Sequence, residues 1–119
     1  MHGNQTLPKS ERLQRGYQFR RVYEQGRKVT GQFVVLYSLE GQGVSRAFGV
    51  VTSRKVGGAV VRNRARRLLR ETYRLHKQEL KTNWQIVMIA RNAINGRRLS
   101  EVEADVLKLF AAAGILNET

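Results

Sequence analysis

The residue types best suited to chemistry are concentrated in one run, Arg62-Asn63-Arg64-Ala65-Arg66-Arg67-Leu68-Leu69-Arg70. Arg62, Arg66 and Arg70 recur every four residues, and Arg67, Arg70 and Arg74 form an adjoining row. On a helix this spacing gives a rigid comb about 12 Å long. Like charges one turn apart cost roughly a few tenths of a kcal/mol each. Within the run only Glu71 is placed to offset them. A phosphate backbone returns that cost, because each neutralised phosphate releases counterions. A solvated helix, the plain alternative, does not need arginines ordered in this way. Arginine also offers a planar donor fork and stacks on bases, which lysine does less well. Asn63 donates and accepts, so it reads a base edge or a 2′-hydroxyl, or orients its neighbours. Gly57-Gly58 lets a backbone approach closely, and free N–H groups near Ala59–Val61 offer a place for a phosphate.

A second candidate surface is aromatic. Phe19 and Tyr23 are one helical turn apart, and Tyr37 lies on a strand that can run beneath them. Arg15, Arg20, Arg27, Arg46 and Lys55 are candidates for its rim. Rings with a basic rim suit single-stranded nucleic acid. The competing reading makes Phe19 and Tyr23 ordinary core residues, with Tyr17 either a third ring or simply exposed. A catalytic centre is not evident. His2 and His76 are the only histidines, and His76 at a helix end reads as a solvent-facing or dipole partner. The acids are scattered, with no close set for two metal ions. No P-loop or Ser/His/Asp arrangement is present.

Composition points the same way. The 119 residues carry 22 Lys+Arg against 9 Asp+Glu, a formal +13, with a pI near 11.3. Such a chain attracts polyanions, nucleic acid first among them. Residues 1–98 hold 21 basic and 5 acidic residues, whereas 99–119 hold one lysine and four acids. The last segment is therefore expected to pack rather than bind. Cysteine is absent, which excludes disulfides, thiolate zinc sites and a cysteine nucleophile. No apolar run is long enough for a membrane span. The N-terminal stretch lacks the apolar core of a secretory signal.

The elements that position these residues follow from periodicity. One domain spans 1–119, with residues 1–12 a tail able to dock as an extended strand and 54–76 an arginine-rich loop and helix. Gln14–Gln25 reads as a first helix, with Gly26 as its C′ stop. Phe33–Leu39 reads as a strand, with Phe33, Val35, Tyr37 and Leu39 on one face and Val34 and Leu36 on the other. Gly41-Gln42-Gly43 is expected to close a hairpin with a strand over Arg46–Thr52. A third strand falls near Gln32 or Ser53. Ala59–His76 reads as a helix with an apolar stripe of Val61, Ala65, Leu68 and Thr72, widened by Leu69 and Tyr73. Its arginine rows should then face outward. Trp84–Ala90 is a strongly apolar, central strand. Ser100-Glu101-Val102-Glu103 reads as a capping box for a last helix, ended by Gly114. This is a two-layer α+β arrangement with both long helices on one sheet face. The other face is partly solvated or meets the first helix. Strands precede the arginine helix, so it lacks the partner helix of a DNA-reading helix-turn-helix. RNA is read through shape, phosphates, 2′-hydroxyls and stacking, and on these residues alone DNA and RNA both stand as partners.

The run Ser53–Glu71, centred on Arg62-Asn63-Arg64, resembles the signature of the bacterial ribonuclease P protein subunit. Leu13…Phe19-Arg20-Arg21-Val22-Tyr23…Gly26 resembles that family's first helix. Phe33–Tyr37, Ala47–Thr52 and Ile86–Arg91 resemble its strands. The likeness covers roughly residues 7–112. It implies an α/β sandwich in the order α-β-β-β-α-β-α, with a left-handed β-α-β crossover against the usual hand, similar to the ribosomal protein S5 domain 2-like fold. It implies docking on a catalytic RNA through Lys55, Arg62, Asn63, Arg64, Arg66, Arg67 and Arg70. It further implies a cleft for the 5′ leader of precursor tRNA, with Phe19, Tyr23 and Tyr37 at the aromatic positions and Arg20 beside them. Tyr23 stands where many relatives carry Phe, and Val34 where an aromatic is frequent.

The implied reaction is Mg²⁺-dependent hydrolysis that leaves a 5′-phosphate on mature tRNA. The RNA subunit would hold the metals, so the chain is ribonuclease P as a holoenzyme component and not a catalyst alone. The resemblance also implies a cytoplasmic location and a protein that is monomeric within the holoenzyme. Two rival classes remain: a structural ribosomal-RNA binder or RNA chaperone without a leader cleft, and a protein-only nuclease.

Overall fold

A computed structural model describes residues 9–41, 43–81 and 83–117. Most of the expected tail, and Gln42 of the expected turn, lie outside them. The elements are α1 (Gly16–Gln25), β1 (Arg27–Thr30), β2 (Val34–Glu40), β3 (Ala47–Val51), α2 (Ala59–His76), β4 (Trp84–Ala90) and α3 (Leu99–Ala113). Their order is the expected α-β-β-β-α-β-α. They form one mixed four-stranded sheet with flanking helices, ordered β1-β2-β4-β3. β2 is antiparallel to β1 and β4, and β3 is parallel to β4.

β4 sits centrally, as its apolar run predicts. It is buried along most of its length because both of its edges and both of its faces are covered. Its insertion between β2 and β3 corrects the expected hairpin. Gly41 and Gly43 do adopt positive φ and reverse the chain. The segment 43–46 then steps across β4, a gap of about 10 Å at ordinary strand spacing. Val44, buried in the second core, anchors that step. The additional strand is β1, not a segment at Gln32 or Ser53. It runs straight on from α1 through Gly26. That glycine is extended at φ −89°, not left-handed. It is required by space: a Cβ there would fall 2.4 Å from the Val22 carbonyl and 2.6 Å from that of Ser38.

Two cores flank the sheet. Leu36, Ile86 and Met88 pack with Leu69 and Tyr73 of α2 and Val102, Val106 and Phe110 of α3. Tyr73 stacks on Phe48, centroids 4.0 Å apart and planes within 3°. On the opposite face Val22 of α1 meets Leu39, Val87 and Leu13, and Phe19, Tyr23 and Tyr37 pack at the rim. Both long helices thus share one face and α1 covers the other. Fully burying Val22 supplies roughly 1.5–3 kcal/mol to α1 docking.

Phe33 departs from the expected face. It precedes β2 and joins the core beneath α2 and α3. Asp105 of α3 explains this: its carboxylate accepts from the Gln32 N–H (3.0 Å) and the Phe33 N–H (2.8 Å). A Cβ on Gly31 would meet that carboxylate at 2.7 Å. α3 also starts one residue before the expected cap. The Glu101 carboxylate reaches back to the Arg98 N–H at 2.9 Å, so Ser100 lies inside the helix and Glu103 is released for another contact. Gly114 ends α3 in the left-handed conformation, as expected.

Before α1, Arg12 bridges Phe48 in parallel, and the Leu13 N–H donates to the Phe48 carbonyl at 2.9 Å. Glu11 fixes this segment to the C-terminal end of α2, through the Tyr73 hydroxyl and through Lys77 (3.3 Å) just beyond the helix.

Candidate nucleic-acid interface

The roll of α2 is set by its buried residues Ala65, Leu69, Thr72 and Tyr73. This stripe is rotated from the expected one: Val61 is 38% exposed, and Leu68 is half-buried. The rotation divides the arginines. Arg62 and Arg66 lie half-buried along the flank toward β3 instead of facing fully outward. Arg66 donates to the Thr52 hydroxyl (3.0 Å) and to the Asn63 side-chain oxygen (3.1 Å). Asn63 therefore orients a neighbour, one of the roles its chemistry allows. Arg64 leaves the other flank and donates to the Arg97 carbonyl at 2.7 Å. Arg67 stays exposed. Glu71 pairs with Arg74 in two hydrogen bonds, so it does not offset the row from Arg62 to Arg70.

Lys55 is exposed in the short 3₁₀ turn Arg54–Val56. Asn95 holds that turn through the Val56 carbonyl at 2.7 Å. Gly57 follows at φ +149°, with Val61 filling the space where a Cβ would stand.

α1 lies across the strands on the opposite face. Phe19 covers Gly49 of β3, and Tyr23 meets Tyr37 of β2 edge-on at 4.9 Å and 70°. Burial, then the Tyr37 phenol, raises the Tyr23 pKa. Lys28 sits 5.9 Å from the Tyr37 ring centre. Arg20 is exposed on the helix between these rings and solvent. Arg46, expected at this rim, instead acts on the Tyr73 phenol beneath the other face.

The two surfaces meet at the free edge of β3. A depression of about 90 Å³ is lined there by Arg12, Leu13, Phe19, Phe48, Gly49, Val50 and Arg70. Arg70 thus belongs to the arginine row and also faces the Phe19 depression. Partial burial, then the positive charges of Arg66 and Arg12, lower its pKa. The sequence reading missed Arg12, Gly49 and Thr52 here. Only the Gly at the centre of a strand signalled a close approach.

His76 is not a free dipole partner. Its Nδ1 lies 2.8 Å from Glu79 and its Nε2 2.8 Å from Glu103. Burial opposes its charge, but these carboxylates outweigh that effect and raise its pKa. Both ring nitrogens are therefore engaged. Among the described residues, no group of three or more His, Asp or Glu is arranged to hold a metal ion, and no helix is long and apolar enough to cross a membrane.

Fold and surface together define a class: a small, strongly basic α+β domain whose arginine helix and aromatic helix converge on one strand edge. The family model described as Ribonuclease P matches residues 7–114, and the chain belongs to the bacterial ribonuclease P protein family. The ribonuclease P protein component of Clostridium acetobutylicum is 39% identical over 111 residues, covering 91% of this chain and 92% of that one. That of Thermoanaerobacter sp. is 42% identical over 94 residues, covering 79% and 75%. The Staphylococcus aureus RNase P protein structure superposes with a TM-score of 0.82 at 25% identity, covering 92% of this chain and all of that one. The Thermotoga maritima RNase P protein gives 0.74 at 25% identity, covering 83% and 94%.

Proposed function

We propose that the chain is the protein subunit of a cytoplasmic ribonuclease P holoenzyme. It docks on the catalytic RNA through Lys55, Arg62, Asn63, Arg64, Arg66, Arg67 and Arg70. It holds the 5′ leader of precursor tRNA with Phe19, Arg20, Tyr23 and Tyr37. The observation that carries this reading is the shared depression at the β3 edge, where Arg70 of the arginine row stands beside Phe19. A strand entering there would have a ring to stack on and guanidinium groups for its phosphates.

The chemistry belongs to the RNA on this reading. The RNA subunit would hold Mg²⁺, which would there supply activation of water and stabilisation of the leaving oxygen. Among the described residues, Glu71 pairs with Arg74, Glu79 and Glu103 with His76, Glu11 with Lys77, and Asp105 with backbone, and no three such groups are arranged to hold a metal ion. The protein's contribution is leader affinity and screening of phosphate repulsion. The same reading gives the parallel β3-α2-β4 unit the left-handed crossover and the S5 domain 2-like topology.

The test is precursor-tRNA cleavage at low Mg²⁺ by a bacterial ribonuclease P RNA, with and without the protein, alongside a protein-only control. Stimulation that needs both components, and that grows when the substrate carries a leader, supports the reading. Tight RNA binding without stimulation would favour a structural RNA binder. Cleavage by the protein alone would overturn the assignment of chemistry to RNA.

A further inference from the structure

The outer side of α1 lies outside the cleft except for Arg20 at their shared rim, yet its composition is unusual for a solvated surface. Tyr17 is 64% exposed, the most exposed of the aromatic rings in the described chain. Arg20 and Arg21 follow it by three and four residues, which places all three on one face of the helix. That face is opposite Val22, the residue α1 buries. Both arginines are exposed. Glu24 stands one turn further on, within ordinary reach of both. Even so, none of the ion pairs or side-chain hydrogen bonds among the described residues involves Arg20, Arg21 or Glu24. Nothing in the fold uses this ring or these charges. The first turn of α1 carries no acid, and a Cβ at Gly16 would meet nothing. Neither an acid of that turn nor a side chain packed over Gly16 therefore stands against a strand passing the N-terminal turn.

We propose that this outer face is a second single-stranded RNA contact, which takes the part of the leader lying beyond the Phe19–Tyr37 cleft. Tyr17 stacks on a base, and Arg21, with Arg20 at the shared rim, neutralises phosphates. The inference rests on the leader-binding reading and extends it. The chemistry fits RNA: an accessible ring supplies a stacking surface that any base can use, and unpaired guanidinium groups take phosphate oxygens in bidentate geometry. An acidic protein partner would use the arginines but would not need an aromatic face between them.

The test uses the holoenzyme reconstituted with its catalytic RNA and precursors with no leader, a short leader that only fills the cleft, or a long leader. Tyr17→Ala and Arg21→Ala should bind the first two like wild type. Each should lose about fivefold to tenfold in affinity for the long leader, in line with one stacking contact. Arg21→Ala should also lower the salt dependence by about 0.7 in slope for one single-strand phosphate. Tyr17→Phe should restore affinity, because it keeps the ring. Long-leader binding unchanged in Tyr17→Ala, with Phe19→Ala still defective on the short leader, would overturn this inference and leave the cleft reading intact. Normal short-leader binding by Phe19→Ala would instead remove the reading beneath it. Equal loss by Tyr17→Ala and Arg21→Ala on all three substrates would overturn the proposal, because the outer face would then not distinguish the long leader.

Discussion

The Phe19 ring lies directly on Gly49: a Cβ built on that glycine would stand 2.5 Å from Phe19 Cε1 and 2.8 Å from Cζ. An aromatic platform at this position therefore depends on a missing side chain three elements further along the chain. Gly49→Ala should tilt the ring out of the depression. The expected result is weaker binding of leader-bearing precursor, unchanged binding of leaderless tRNA, and a stability loss of about 1–3 kcal/mol from overpacking. Paired affinity measurements on the two substrates check it. Equal affinities in variant and wild type would show that the ring does not bear on the leader.

Arg70 is the residue common to both surfaces. Arg70→Ala should weaken assembly with the catalytic RNA and also weaken leader binding by the assembled enzyme. Arg67→Ala, exposed on the outward side of α2, should affect assembly alone. Each lost phosphate contact should reduce the salt slope by about 0.7–0.9. Titrations across a range of salt separate the two residues. Identical profiles would mean that the surfaces are not joined at Arg70.

Asp105 should prove structural. Asp105→Ala strands the Gln32 and Phe33 N–H groups, and the second of these is buried. The expected cost is about 3 kcal/mol. It should appear in urea unfolding as a lower midpoint with unchanged slope. RNA affinity measured on the folded variant should stay near wild type. A midpoint within error of wild type would refute the role of Asp105 as anchor of the β1–β2 turn.

His76 predicts a pH dependence. Its folded pKa is raised above the unfolded value. The clamp on Glu79 and Glu103 is therefore fully present below about pH 6.5 and is lost as pH rises through the folded value. The stability difference between wild type and His76→Gln should be largest in mild acid and shrink toward alkaline pH. Urea unfolding at several pH values measures it. A constant difference would show that the ring's charge contributes nothing.

Much of this arrangement was legible in the residues, and what was hidden has physical causes. α2 and β4 announced themselves by long apolar patterns. The arginine row and the ring pair announced themselves by spacing. β1 did not, because its four residues are mostly exposed and polar and gain their place from pairing with β2. The glycine turn after β2 looked like a hairpin because a local signal cannot report that a distant strand will insert. The roll of α2 was misread by a few tens of degrees, since Val61 and Leu69 compete for one stripe and only packing on Tyr73 and Phe48 decides between them. Ser100 reads as the cap of the last helix, but Glu101 closes on the Arg98 N–H instead, and His76 claims the Glu103 that a Ser100 cap would have used. Asp105 gave no sign at all: a lone acid on a helix reads as solvated until the turn it caps is folded against it.

Among the described residues, β3 is an edge strand whose outer side is paired by Arg12 and Leu13 only at Phe48, with no strand beside Gly49–Val51. Such an edge is a template on which a second copy can add itself. Arg66 and Arg70 stand guard along it from α2. The charge that recruits an anionic partner thus also keeps newly made copies apart during the interval before that partner arrives. High salt, by muting the guard while leaving the template in place, is the condition under which the unassembled chain becomes sticky.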